Sequence, residues 1–402
     1  MHIGLIAPPW LPVPPPAYGG TESVVDRLAR GLVHAGHDVL LAAAANSSCP
    51  VPRVAGTAEA ADQAPVCGDS VTELSHVITG YAAMGAVDIV HDHTLVGPLY
   101  RDAHQGAPIV TTNHGPFDGL LTPIYRAMRG VAVIGISHHQ ASTATGVLIA
   151  AVIHHGIDVE ALPVGPGDGG YASFVGRMCP DKGPREAVMI ARTAGIPLKM
   201  AAKMREPCER DYFESSIKPL LGSDVEYLGE LGPDDKMELI GGSFSLLNPL
   251  QWAEPFGLVM IEALAVGTPV VATVAGSAPE IVDDGVTGYL RDGQLNLAAA
   301  LLDAADLDRS ACRAAALARF STDRMVAAHV QLYRDVLGGS VSGVAPAVSG
   351  PRRTPLHRSG ESAQNGWHVV HDDRVRAGRQ EEPGKLGPRA PDQQLSRTTV
   401  DQ

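Results

Sequence analysis

Two carboxylates beside a glycine-opened helix carry the most chemistry in this sequence. In Trp252 to Val271, WAEPFGLVMIEALAVGTPVV, Glu254 and Glu262 bracket a Pro-Phe-Gly turn. After it, Val259, Met260, Ile261, Ala263, Leu264 and Ala265 read as a helix apolar on most sides. Gly267 and Pro269 stop it, and Val270 and Val271 open a buried strand. A helix starting near Gly257 aims unpaired N–H groups and the positive end of its dipole at whatever lies in front of it, which makes an anion site, and glycine lets a ligand come close. Glu254 and Glu262 are ~12 Å apart if the whole span rises ~1.5 Å per residue. A diphosphate at the helix start then has one carboxylate on each side to accept sugar hydroxyls, the layout of hexose, diphosphate and ribose in a nucleotide sugar. The alternative for the pair is a solvated loop acid and a partly exposed helical residue.

A second stretch supplies the opposite charge. In GRMCPDKG, Arg177 and Lys182 follow a strand and precede a helix, where a planar guanidinium fork and an ammonium point charge suit a diphosphate. His114, in TTNHGP, ends a strand in the other half and can face the same cleft, donating a hydrogen bond to a substrate oxygen. His91 and His93, in VHDHT, have metal-like spacing but no third ligand in view, and read as structural strand-end histidines. The dinucleotide fingerprint G-x-G-x-x-G is absent after the first strand, where the proline-dense loop PPWLPVPPPAYGG stands instead, and there is no P-loop. This argues against an NAD-dependent dehydrogenase.

The elements that must position these residues alternate in type. Strand His2–Ala7, a helix from about Glu22 to Ala35 capped by Thr21, and strand Asp38–Ala44 form one parallel unit. Helix Ser70–Met84, strand Asp88–His91, a helix around Val96–His104, and strands at Pro108–Thr112, Val131–Ile136 and Ala151–His154 continue it. Gly165 to Gly170 reads as a hinge. A second series follows: strand Ala172–Val175, helix Pro184–Ala194, strand Leu198–Ala202, helix Glu209–Leu220, strand Val225–Leu228, then the opening motif. Helices about Leu295–Ala305 and Arg309–Ala318 and a final helix ending at Leu337 complete it. Both halves are α/β, open doubly wound sheets whose ligands belong beyond the carboxyl ends of the strands.

Length and composition agree. The 402 residues, 45% hydrophobic, are enough for two cores and so for a cleft. Residues 1–165 hold six Arg and no Lys against thirteen Asp plus Glu, net −7, which argues against nucleic-acid or anionic-membrane docking there. The five cysteines, at 49, 67, 179, 208 and 312, have no zinc or redox spacing, so free thiols, no metal and a cytoplasmic setting are expected. The start, HIGLIAP, reads as a strand rather than a signal segment, and no apolar run approaches the ~20 residues of a membrane span. Residues 339–402, rich in Gly, Pro, Ser, Arg and Asp, read as a disordered tail.

Together GGTESVVDRLARGLVHAGHDV, TTNHGP, VGRMCPDKG, PLQWAEPFGLVMIEALAVGTPVVAT and EIVDDGVTGYL resemble the retaining glycosyltransferases of family four, glycosyl transferases group 1, over residues 1–337. The resemblance implies the GT-B fold: two Rossmann-like, doubly wound parallel-sheet domains facing a cleft. Residues 1–165 would form the acceptor domain, 166–320 the nucleotide-sugar donor domain, 321–337 a helix crossing back to the first domain, and 338–402 the tail. The implied reaction moves a hexose from a nucleotide-diphosphate sugar to a glycan, small-molecule or lipid acceptor with retention of configuration. It needs no cofactor and no obligatory metal, the leaving phosphate taking the acceptor proton. Arg177 and Lys182 would hold the diphosphate and stabilise the leaving phosphate. Phe256, Gly257 and Leu258 would offer backbone amides, Glu254 would bind sugar hydroxyls near the reacting carbon, and Glu262 the ribose. His114 would contact the donor sugar from across the cleft, while Gly19 and Gly20 let the first loop approach. His155 departs from the family, standing where Asn is common before Gly-Ile-Asp, and the first domain lacks the basic amphipathic face of membrane-acting relatives. A sugar-nucleotide epimerase of similar fold and a non-catalytic nucleotide-sugar-binding protein are the alternatives.

Overall fold

The computed structural model describes residues 1–60, 69–103 and 106–341. Cys67 and the expected tail from residue 342 onward lie outside the described residues. Among the described residues, twelve short strands form two six-stranded parallel sheets. The first contains β1 (His2–Ile6), β2 (Asp38–Ala42), β3 (Ile89–Asp92), β4 (Ile109–Thr112), β5 (Ala132–Gly135) and β6 (Ile149–Val152), in the order β2-β1-β3-β4-β5-β6. The second contains β7 (Ala172–Arg177), β8 (Leu198–Lys203), β9 (Val225–Tyr227), β10 (Ser245–Asn248), β11 (Val270–Ala272) and β12 (Gly288–Leu290), in the order β12-β11-β10-β7-β8-β9.

Each strand is a near-continuous apolar run because both sheet faces are covered. Ile3 and Leu5 of β1 pack with Val24, Leu28 and Leu32 of the helix Gly20–His34. Ile6, one pleat away, joins Val77, Tyr81 and Met84 of the helix Ser70–Ala83 on the opposite face. The second sheet divides likewise: Leu246 and Val270 pack with Met260, Ile261 and Leu264, whereas Leu247 and Val271 pack with Val188 and Ile190. Alternation along each strand thus makes both sheets doubly wound.

Several boundaries differ from expectation. The first helix begins at Gly20, with Thr21 inside it and no side-chain cap. The helix expected over Glu209–Leu220 is broken into Pro207–Tyr212, a π turn Phe213–Ile217 and a 3-10 turn Lys218–Leu220; Pro219 lacks the N–H and its ring collides with the preceding turn. The expected helix near Val96–His104 is a 3-10 stretch, Gly97–Ala103, opening with two poor helix formers, Gly97 and Pro98. Helices Leu121–Ala127 and His138–Thr143 are too short to show periodicity in sequence. The expected hinge is laid along the second sheet's helices: the N–H groups of Gly165, Gly167 and Gly169 donate to the carbonyls of Val266, Gly241 and Gly242 at 2.9, 3.0 and 3.0 Å.

The last helix, Thr322–Leu337, is capped by the Ser321 side chain and buries Met325, Val326, Val330 and Tyr333 in the core of the first sheet. Its partner is the helix Gly20–His34, which it meets at Gly31; a Cβ there would sit 2.5 Å from Val326 Cγ2. Overpacking of that kind costs about 1–3 kcal/mol. Gly31→Val should therefore lower the melting temperature by several degrees in a circular-dichroism melt, whereas an unchanged melt would mean that the two helices are not in this close contact.

Candidate active site

Both sheets reverse strand order beside the strand that starts them. In the second sheet the reversal falls between β7 and β10, and the crevice at such a switch point is where open α/β sheets bind ligands. The loop after β7 carries Lys182 and the loop after β10 carries Glu254. The segments expected to supply cations and carboxylates thus leave adjacent parallel strands at the same end.

The two loops are stitched together. Gln251 N–H donates to the Asp181 carbonyl at 2.8 Å, and Gly183, at φ 72°, lies so close to Pro249 that a Cβ would be 2.1 Å from its carbonyl oxygen. Across this seam Lys182 Nζ pairs with Glu254 Oε2, both side chains largely buried. The same carboxylate oxygen accepts a hydrogen bond from Trp252 Nε1 at 2.8 Å, while Lys182 Nζ lies 5.3 Å from the centre of the Trp252 ring. Behind Glu254 the chain folds onto Gly276, at φ 58°, where a Cβ would fall 2.4 Å from the Glu254 nitrogen. Ser277 N–H donates to the Glu254 carbonyl at 3.0 Å and Ser277 Oγ to that of Phe256.

Gly257, in a left-handed conformation, turns the chain into the helix Leu258–Ala265, whose start no side chain caps. Inside it the buried Glu262 pairs with Lys236 Nζ at 2.7 Å. A cleft of about 1070 Å³ runs along these residues. Its walls include Lys182, Glu254, Phe256, Gly257, Leu258 and Glu262 from the second lobe, and Gly19, Gly20, Glu22, His114 and His155 from the first. Gly20 comes close to the motif helix, since a Cβ on it would be 3.3 Å from Leu258 Cδ1. Alongside, Tyr18 N–H donates to Glu230 Oε1 at 3.0 Å, and Arg205 holds Glu230 at 2.5 Å. Arg177 is placed differently. It ends β7, half-buried and close enough to Tyr18, Glu209 and Glu254 to feel their charges, but it is not among the side chains lining the cleft.

On the first lobe, His114 belongs to a cluster. Its ring stacks on His155 at 5.2 Å, and His155 meets the Phe256 ring edge-on at 5.0 Å. His114 Nε2 is 2.9 Å from His93 Nδ1. His91 stacks on His93 at 4.1 Å, and its two nitrogens meet Tyr333 Oη at 2.7 Å and Thr112 Oγ1 at 2.8 Å. Burial pushes His114 down to about 3 and holds His91, His93 and His155 well below the ordinary histidine value, so these rings are neutral. A separate group, His138, His154 and Glu280, brings three potential metal-ligand atoms within 4.8 Å of one another. Within it the Glu280 carboxylate accepts the His138 and His139 backbone N–H groups at 2.8 and 2.7 Å and approaches His154 Nε2 at 2.8 Å.

This geometry has known counterparts. The glycosyltransferase family 4 model matches residues 18–161 and the model for glycosyl transferases group 1 matches residues 166–314. The chain belongs to glycosyltransferase family 4. It is an enzyme of the nucleotide-sugar-dependent GT-B type. The phosphatidyl-myo-inositol mannosyltransferase of Mycolicibacterium smegmatis is 27% identical over 390 residues, covering 87% of this chain and 97% of that one. Among solved structures, the glycosyltransferase AviGT4 of avilamycin A biosynthesis superposes with a TM-score of 0.67 at 26% identity, over 84% of this chain and 98% of its own. Anabaena HepE, solved with UDP-glucose, shares the fold with a TM-score of 0.64 at 20% identity, over 84% of this chain and all of its own. Among the described residues of this glycosyltransferase, no helix is long and apolar enough to cross a membrane.

Sequence reasoning missed the side chains that hold the expected ones. Trp252 and Lys236 fix Glu254 and Glu262, but no spacing rule ties an indole or a helical lysine to a carboxylate before the fold is known. Glu22 enters the sequence reading only as the approximate start of the first helix. It is 5% exposed and lines the cleft, its carboxylate accepting a hydrogen bond from its own backbone N–H. Burial raises it from an ordinary 4.5 to about 7. A carboxyl whose folded value lies above its unfolded one stabilises the fold while protonated, and that stability is lost as pH rises from about 4.5 through 7. Glu22→Gln should therefore raise the melting temperature by several degrees at pH 8 and leave it nearly unchanged at pH 5. Equal shifts at both pH values in a fluorimetric melt would show that Glu22 is solvated.

Proposed function

We propose that this enzyme transfers a hexose from a nucleoside-diphosphate hexose to an acceptor hydroxyl with retention of anomeric configuration, without a cofactor or an obligatory metal. The observation that carries the reading is the buried Lys182–Glu254 pair at the β7–β10 switch point, beside an uncapped helix start. Lys182 and the Leu258 end of the motif helix bind the diphosphate, the ammonium as a point charge and the backbone amides as donors. As the bond from the anomeric carbon to the leaving phosphate stretches, negative charge grows on that phosphate. Lys182 and Arg177 stabilise the charge where it develops. Glu254 accepts hydroxyls of the hexose near the reacting carbon, and Glu262, one helix length away, those of the ribose. His114 reaches the hexose from the first lobe, and Gly19 and Gly20 let that lobe's loop close on the diphosphate.

The acceptor hydroxyl enters between the lobes and passes its proton to the leaving phosphate, so no second carboxyl has to act as base. Both matching family models are glycosyltransferase models, which favours transfer over epimerisation of the same donor. The mannosyltransferase and HepE relatives support a hexose donor.

Two measurements test this. Turnover with UDP-, GDP- and ADP-hexoses of α configuration should give an α-linked product by proton NMR; a β-linked product would contradict retention. If Glu262 grips the ribose equally in ground and transition states, Glu262→Gln should weaken nucleoside diphosphate and nucleotide sugar alike, about tenfold, with kcat little changed. A loss confined to kcat would move Glu262 to the reacting centre.

A further inference from the structure

The histidine cluster determines more than where His114 lies. His93 is buried, and its Nε2 has no hydrogen-bond partner. Its other nitrogen, Nδ1, faces His114 Nε2 at 2.9 Å. Both rings are neutral, so each carries one proton, and two arrangements are possible. If the His93 proton were on Nε2, a buried N–H would lack an acceptor. If it is on Nδ1, only a lone pair is left unmatched. Buried orphan N–H groups are rarer and costlier than under-used acceptors, so the proton sits on Nδ1 and His93 donates to His114 Nε2. His114, having accepted at Nε2, must carry its own proton on Nδ1. That nitrogen has no protein partner among the described residues, and His114 lines the cleft.

We propose that His93 is a positioning residue that locks His114 in the Nδ1–H tautomer, making it an obligatory hydrogen-bond donor to a hydroxyl oxygen of the bound hexose. The proposal rests on the donor-binding reading of this cleft. Both flanks hold the arrangement in register: His91, fixed at its two nitrogens by Tyr333 and Thr112, stacks under His93, and His155 stacks on His114. His91 and His93, which their spacing presents as strand-end structural residues, thus connect the last helix to the cleft.

The test uses the full chain with 15N-labelled histidine, the His114 signals being assigned by their loss in His114→Gln. Two-bond 15N–proton correlation should show His114 protonated at Nδ1 in the wild-type enzyme and in His93→Gln, whose amide N–H replaces the lost donor. In His93→Leu the proton should redistribute toward Nε2. In parallel, affinities for UDP-glucose, GDP-mannose and ADP-glucose are compared with those for UDP, GDP and ADP. His93→Leu should erode the preference for the sugar-bearing ligand about tenfold, the worth of one hydrogen bond, with the nucleoside diphosphate affinity unchanged and His93→Gln restoring the preference. A wild-type His114 protonated at Nε2, or a tautomer and preference indifferent to His93→Leu, would overturn the proposal. Should His93→Leu fail to fold, the wild-type and His93→Gln spectra still decide. If no nucleotide sugar bound the wild-type enzyme, the donor reading itself would fall, whatever the tautomer.

Discussion

The site depends on one constraint: Lys182 and Glu254 are both largely removed from water, on loops that leave adjacent strands, and each neutralises the other. Taking either charge out of water alone is costly, so the pair holds only if the loops are fixed closely enough to keep the charges in contact. The Gln251–Asp181 hydrogen bond, the close approach of Gly183 to Pro249 and that of Gly276 to Glu254 supply this fixation. Trp252 completes it, giving Glu254 Oε2 a second donor and Lys182 an aromatic face. The arrangement leaves Glu254 Oε1 without a protein donor among the described residues, open for a hydroxyl.

The folds on either side serve this seam. A doubly wound sheet leaves its loops at one edge, and the crevice at the reversal of strand order between β7 and β10 is where such sheets bind ligands. The first lobe answers with Gly20 against Leu258, Tyr18 against Glu230, and His155, stacked on His114, against Phe256. The last helix secures that lobe from behind, and Tyr333 reaches through to the histidines. Gly20 and His155 meet residues of the opening motif itself, which ties the position of one lobe to the loops of the other.

Much of this was legible in the chain. Alternating apolar runs and amphipathic segments placed the strands and the doubly wound architecture, because burial on both faces leaves a period that survives any detail of packing. The Glu254–Glu262 stretch and Lys182 were visible because glycine, proline and charge mark loop ends. Arg177 was legible as a cation at the end of a strand, and it ends β7 near Tyr18, Glu209 and Glu254. The helical pattern over Glu209–Leu220 hides Pro219, beside which the helix gives way to π and 3-10 turns. Least legible were Trp252, Lys236, Glu22 and His93. Their roles come from what surrounds them in three dimensions, a buried carboxyl or an orphan nitrogen, which a one-dimensional pattern does not record.

On the proposed function, the Lys182–Glu254 pair both holds the two loops together and binds the donor. A double-mutant cycle with Lys182→Met, Glu254→Gln and the combined variant measures it most directly, read by urea unfolding without ligand and by affinity for UDP-, GDP- and ADP-hexoses. Each single variant leaves a buried charge or polar group unmatched and should lose about 3–5 kcal/mol of stability. The combined variant should recover much of that loss while binding no nucleotide hexose. Additive destabilisation, or nucleotide-hexose affinity retained in the combined variant, would contradict the account.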